Sequence, residues 1–124
     1  MRKVSDSLMQ ELRNELRVEV NDHWNTIEEA LIAFEKKPES LKIDQIKNAI
    51  HSIKGSARAA GCVEYSSLVH QIEDFMNGFQ NSFSNPTSFV TILLSIVDMM
   101  RLVDVKSVSE SQYQQIFQRM KIPK

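Results

Sequence analysis

Apolar residues recur at spacings of three and four along almost the whole chain, and only three glycines and three prolines interrupt them. Positions three or four apart share a face of an α-helix, whereas a half-buried strand needs strict alternation. No stretch alternates, so the expectation is an all-α fold. With 124 residues, 42% of them hydrophobic, the chain holds enough apolar material for one core and reads as one domain over 1–124.

The helices follow from the same spacing. Leu8, Leu12, Leu16, Val20, Trp24, Ile27, Leu31 and Phe34 form a long seam, predicted as one helix or as two broken near Asn21. Lys36-Lys37-Pro38 closes it, because basic residues suit a helix C-terminus and proline discourages continuation. A second helix is expected from about Ile43 to Ala60, with Gly61 supplying a left-handed C-terminal position. Tyr65, Leu68, Val69, Ile72, Phe75, Met76 and Phe79 mark a third, ended by the polar segment from Gln80 to Asn85. Asn85-Pro86 is a cap followed by a first-turn proline, and starts a fourth helix predicted to reach about Val105. The apolar residues of that fourth helix cover more than one face. Ser109 and Gln112 have capping-box spacing, and Tyr113, Ile116, Phe117 and Met120 make a short amphipathic helix. This helix is expected to pack on the outer side of the fourth; otherwise that surface would be a protein-binding or dimer patch. The predicted architecture is an antiparallel four-helix bundle over about 5–105 with an additional short C-terminal helix over about 109–121.

Composition removes several function classes. The net charge is −1, with both signs interleaved, which gives no field for nucleic acid or an anionic membrane. Cys62 is the lone cysteine, so no intrachain disulfide forms; without a signal peptide, a cytoplasmic setting is the default expectation. The most apolar run, Phe89 to Val105, contains Asp98, Arg101 and Asp104, which argues against membrane insertion.

The chemistry concentrates in the stretch from Ala49 to Gly61. On a helix, Ile43, Ile46, Ile50, Ile53, Ala57 and Ala60 share one apolar stripe, and His51 lies roughly 120° from its centre. The histidine therefore faces outward, beside Lys47, Gly55 and Arg58, with Lys54 nearer the boundary. Gly55 removes a Cβ one turn after His51, at a cost of about 1 kcal/mol relative to alanine, which suggests that a partner comes close there. Lys47 and Arg58 flank the same approach. Lys54, at i+3, can reach the oxygens of a group attached to the ring. On the third helix, His70 and Glu73 lie on one flank, where Glu73 could accept a hydrogen bond from one ring nitrogen of His51 and leave the other nucleophilic. The reading is that His51 carries a phosphoryl group. A non-catalytic helical interaction or dimerisation module, with no phosphorylated histidine, is the alternative.

A di-iron bundle would need a second Glu-x-x-His copy that the chain lacks, so no metal site is expected. With neither a Gly-rich phosphate loop nor a Mg²⁺ carboxylate cluster, no nucleotide site is expected either.

His51-Ser52-Ile53-Lys54-Gly55-Ser56-Ala57, then Gly61, then His70-Gln71-Ile72-Glu73-Asp74 resembles histidine phosphotransfer (HPt) domains. The resemblance is strongest to those of CheA-type chemotaxis kinases and their twitching-motility relatives. It covers the second and third helices residue by residue and the first and fourth in pattern. It implies that His51 accepts phosphate on Nε2 while Glu73 holds Nδ1, that Lys54 and His70 share their network, and that Gly55 gives access. It also implies a histidine kinase catalytic domain, carrying ATP and Mg²⁺, as donor and a response-regulator receiver aspartate as acceptor. Ala60 stands where a bulkier apolar residue is frequent, and the seam before Trp24 is longer than the family's usual first helix.

Overall fold

The computed structural model describes residues 2–79 and 85–121, with side chains from residue 6 onward. Its helices are α1 (Arg2–Lys36), α2 (Ser40–Ala59), α3 (Val63–Gly78), α4 (Pro86–Arg101) and α5 (Glu110–Met120). Helix α1 packs against α2 and α4, α2 against α3, and α5 against α4 and α3. The result is the expected antiparallel bundle of four helices, with α5 laid on its flank. Among the described residues no helix is long and apolar enough to cross a membrane.

Local signals set the ends. After α2, Ala60 N–H bonds the Ser56 carbonyl, Gly61 N–H that of Arg58, and Cys62 N–H that of Ala57. The last two bonds are the Schellman pattern, and Gly61 has the positive φ of 80° that it requires. Asn85 accepts a hydrogen bond from Ser88 N–H, with Pro86 in the first turn of α4. Ser109 and Gln112 form the reciprocal capping box that starts α5.

The core is built from the predicted stripes. Trp24, Ile27, Leu31 and Phe34 of α1 meet Ile46, Ile50 and Ile53 of α2, Tyr65, Leu68 and Ile72 of α3, and Phe89 and Ile96 of α4, all fully buried. Each such side chain contributes about 1.5–3 kcal/mol relative to exposure. Trp24 Nε1–H donates to the Tyr65 hydroxyl at 2.9 Å, satisfying two polar atoms that burial would otherwise penalise. Burial pushes the Tyr65 pKa up to about 12, against the lowering effect of that bond. Ile116 of α5 is buried, so α5 covers the outer face of α4 as expected.

Helix α1 takes the first of its two predicted forms and continues through Asn21 without a break. Three features differ from the sequence reading. The seam of α1 stops being core at Leu16, because Leu8 and Leu12 are exposed. Helix α2 begins at Ser40, a turn before Ile43. Helix α4 ends at Arg101 rather than Val105, because charged groups tie down the segment after it. Arg101 Nη2 donates to Asn25 at 2.8 Å and to Glu28 at 2.7 Å, and Arg17 bonds Asp104 at 3.1 Å. Val103 and Val105 are then buried from a turn and not from a helix. The segment from Gln80 that was expected to end the third helix lies outside the described residues up to position 84, and α3 itself ends at Gly78.

Candidate functional site

The apolar stripe of α2 faces the core and turns the opposite side of the helix outward. His51 rides on that side, with 74% of its side chain exposed. Helix α3 runs beside it at a level pinned by Ser66, a buried polar side chain whose Oγ–H donates to the Lys54 carbonyl at 3.1 Å. At this level the four residues singled out on α2 and α3 meet around one carboxylate.

Glu73 divides its two oxygens. Oε1 accepts a 2.6 Å hydrogen bond from Lys54 Nζ, and Oε2 faces His51 Nδ1 at 3.8 Å. His70 Nδ1 stands 3.7 Å from Oε1, while His70 Nε2 lies 3.4 Å from Asp74 Oδ2. The 3.8 Å separation exceeds a hydrogen bond, so His51 faces Glu73 without being bonded to it. Glu73 and Lys54 are only 16% and 17% exposed. Burial raises the Glu73 pKa, but the Lys54 hydrogen bond and the Lys54 charge, with the nearby His51 and His70 rings adding to them, outweigh it and hold the carboxyl below its ordinary value. The carboxylate is thus ionised and anchored from one side, with its free oxygen aimed at the ring nitrogen that points inward.

Gly55 lies on the exposed face one turn from His51, and a Cβ built on it would meet nothing within 4 Å. Nothing inside the bundle requires glycine there. Lys47 and Arg58 are exposed on α2 and form no ion pair among the described residues, so the structure does not bring them into the cluster. Lys54, expected to reach outward to a group on the ring, is instead engaged by Glu73.

Two further residues belong to the arrangement. Asp74 reaches His70 across one helical turn, a contact that His-to-Asp spacing at i+4 signals in the sequence. Ser66 carries no such signal, because a serine on a helix reads as exposed until its neighbour helix is placed. Among the described residues, no group of His, Cys, Asp or Glu could hold a metal ion.

The same geometry makes a pH prediction. Glu73, Glu28 and Asp104 all have folded-state pKa values below their ordinary ones. Arg101 is the main cause at Glu28 and the Lys106 backbone N–H at Asp104. A carboxyl depressed in this way stabilises the fold above its unfolded value and loses that contribution as the pH falls through the folded one. Urea midpoints should decline as the pH falls below the ordinary Glu value of 4.5. Lys54→Met should decline less steeply, and an identical slope would remove Glu73 from the set.

A family model described as Hpt domain matches residues 11–104. The chain is also similar to the chemotaxis protein CheA of Bacillus subtilis (strain 168), with 29% identity over 82 residues, covering 64% of this chain and 12% of that protein. The chain therefore spans a small fraction of the length of that curated relative. No solved structure matches it significantly.

Proposed function

Since the chain belongs to the Hpt domain family, and so to phosphotransfer in two-component signalling, we propose that His51 is its phosphoacceptor. In this reading His51 takes a phosphoryl group from the ATP-bound catalytic domain of a CheA-type histidine kinase and passes it to a receiver-domain aspartate. The observation that carries the proposal is the aim of Glu73. Its Oε2 lies toward His51 Nδ1 while Lys54 holds Oε1.

The chemistry follows from that aim. A carboxylate beside Nδ1 favours the tautomer with hydrogen on Nδ1, which leaves the Nε2 lone pair facing solvent. Nε2 attacks the γ-phosphorus in line, the N–P bond forms as the bond to the ADP oxygen breaks, and the ring gains positive charge. Glu73 stabilises that charge through the Nδ1 proton. A short closure from 3.8 Å brings the pair into hydrogen-bond reach, as catalytic contacts do when the reacting complex assembles. The ATP and Mg²⁺ belong to the kinase domain. In the second step Nε2 is the leaving group and the receiver aspartate the nucleophile, so His51 is a substrate in both.

Burial of Ile116 against the bundle speaks against the interaction-module alternative, since α5 covers the surface that such a module would have offered. The reading is tested by incubating the chain with a CheA-type kinase domain and labelled ATP, and then with a receiver. It expects acid-labile, alkali-stable label that the receiver discharges. No label, or label resistant to acid, would overturn it.

Gly55 gives a further expected result. Glycine inside a helix costs about 0.5–1 kcal/mol relative to alanine, and the fold offers no steric reason for it. Gly55→Ala should therefore raise the urea midpoint while lowering kcat/KM for phosphorylation. A more stable variant with unchanged kinetics would show that no partner approaches there.

A further inference from the structure

An unpartnered apolar surface lies on the first turns of α1, outside the cluster around Glu73. Helix α1 has 35 residues against 20 in α2, and a short turn joins them at one end. A surplus of about 15 residues, roughly 22 Å of helix, therefore overhangs the other end. Leu8, Met9 and Leu12 of this overhang are 54%, 41% and 46% exposed, although they continue the seam that Leu16 and Val20 bury below. A helix of this length without a partner is marginal in water.

Where the overhang leaves the bundle it forms an open groove of about 760 Å³ with the end of α2, floored by Met9, Leu12, Leu16, Ala59, Ala60 and Gly61. Small residues at the α2 end leave room for another backbone in line with α2. The rim is charged. Glu15 and Glu19 line one edge, and Glu11 continues their row beyond the groove at the same four-residue spacing; all three are exposed, and none enters an ion pair among the described residues. Arg13 stands alone on the other rim.

We propose that this groove receives an amphipathic helix of a partner protein, one with leucine-like residues along one face and basic residues along the flank that meets Glu11, Glu15 and Glu19. The occupant would lie antiparallel to α1, as a continuation of the path of α2. Charge complementarity selects it over a second copy of this chain. In an antiparallel two-fold pair the same edges meet, which would set Glu11 and Glu15 against their own counterparts, a repulsive arrangement. An anionic membrane is disfavoured by the same carboxylates.

The test uses fluorescence anisotropy on the full chain, with a fluorescein-labelled helical peptide carrying leucines on one face and lysines along one flank. A scrambled peptide of identical composition and a glutamate-for-lysine version serve as controls. The leucine-lysine peptide should bind best, and more weakly as salt is raised. Combined Leu8→Asp and Leu12→Asp should weaken it by roughly tenfold or more. Glu11→Lys, Glu15→Lys and Glu19→Lys together leave every apolar residue in place and should reverse the preference toward the glutamate peptide. Absent binding, equal binding of the scrambled peptide, or a preference unchanged by charge reversal would overturn the proposal. So would sedimentation showing a dimer that Leu12→Asp dissociates, which would make the second copy the occupant.

Discussion

His51→Gln should abolish phosphorylation by the kinase domain while leaving the fold intact. The side chain is 74% exposed and approaches Glu73 at 3.8 Å, beyond hydrogen-bond reach, so its loss should change stability by no more than about 0.5 kcal/mol, as for an ordinary surface substitution. Glutamine keeps a polar side chain of similar reach but has no ring nitrogen lone pair to form the N–P bond. The expected outcome is label at background together with an unchanged helical circular dichroism spectrum. His70 makes the comparison decisive, because it is a second exposed imidazole beside the same carboxylate. Both nitrogens of His70 face acidic groups, Glu73 at 3.7 Å and Asp74 at 3.4 Å, whereas Glu73 approaches His51 through Nδ1. His70→Gln should retain acid-labile label. Label retained in His51→Gln but lost in His70→Gln would transfer the assignment to His70.

Much of this arrangement could be read before any helix was placed, and the parts that could not share a cause. The caps at Asn85, Ser109 and Gly61 are local, set by a few residues and the backbone between them, and they stand where the sequence puts them. Periodicity also assigns His51 to an outward face, because that needs only the apolar stripe of its own helix. It cannot say where an apolar stripe runs out of partners. Leu8 and Leu12 fit the seam as well as Leu16 does, and only the shorter length of α2 leaves them uncovered. Nor can it separate a further helical turn from a tucked loop that buries the same valines. Val103 and Val105 satisfy both, and the choice is made by Arg101 reaching α1 and Asp104 accepting from Arg17 and the Lys106 N–H.

The site shows the same division. Glu73 and His70 were legible as one flank of α3, but their rotation against α2 was not. That rotation gives Lys54 the short bond to Glu73 and leaves His51 the longer approach. A lysine expected to wait for phosphate is, in the resting domain, the anchor of the carboxylate. Its role on the ring therefore requires it to leave Glu73 or to share its protons between two acceptors, and an ammonium has three to offer.

Glu73→Ala should slow phosphorylation by the kinase by roughly 100-fold or more, the scale of a well-placed proton-holding group, with a smaller effect on stability. The two effects have separate origins. Removing the carboxylate leaves Lys54 Nζ, 17% exposed, without its partner, a desolvation cost of about 1–3 kcal/mol that the flexible lysine side chain reduces by reaching solvent. It also leaves the His51 ring with no acceptor at Nδ1, so both tautomers form and the positive charge developing in the transition state goes unopposed. Lys54→Met separates the two origins. It breaks the same 2.6 Å pair but keeps a carboxylate beside His51, so it should cost comparable stability and leave a different pattern in the kinetics. Under the orienting role, Glu73→Ala loses far more of kcat/KM than Lys54→Met, which keeps the carboxylate beside the ring. If the carboxylate serves only to pair Lys54, the two variants should have the same rates. A folded Glu73→Ala phosphorylated at the wild-type rate would refute the orienting role outright, and His51 would then owe its reactivity to the kinase domain alone.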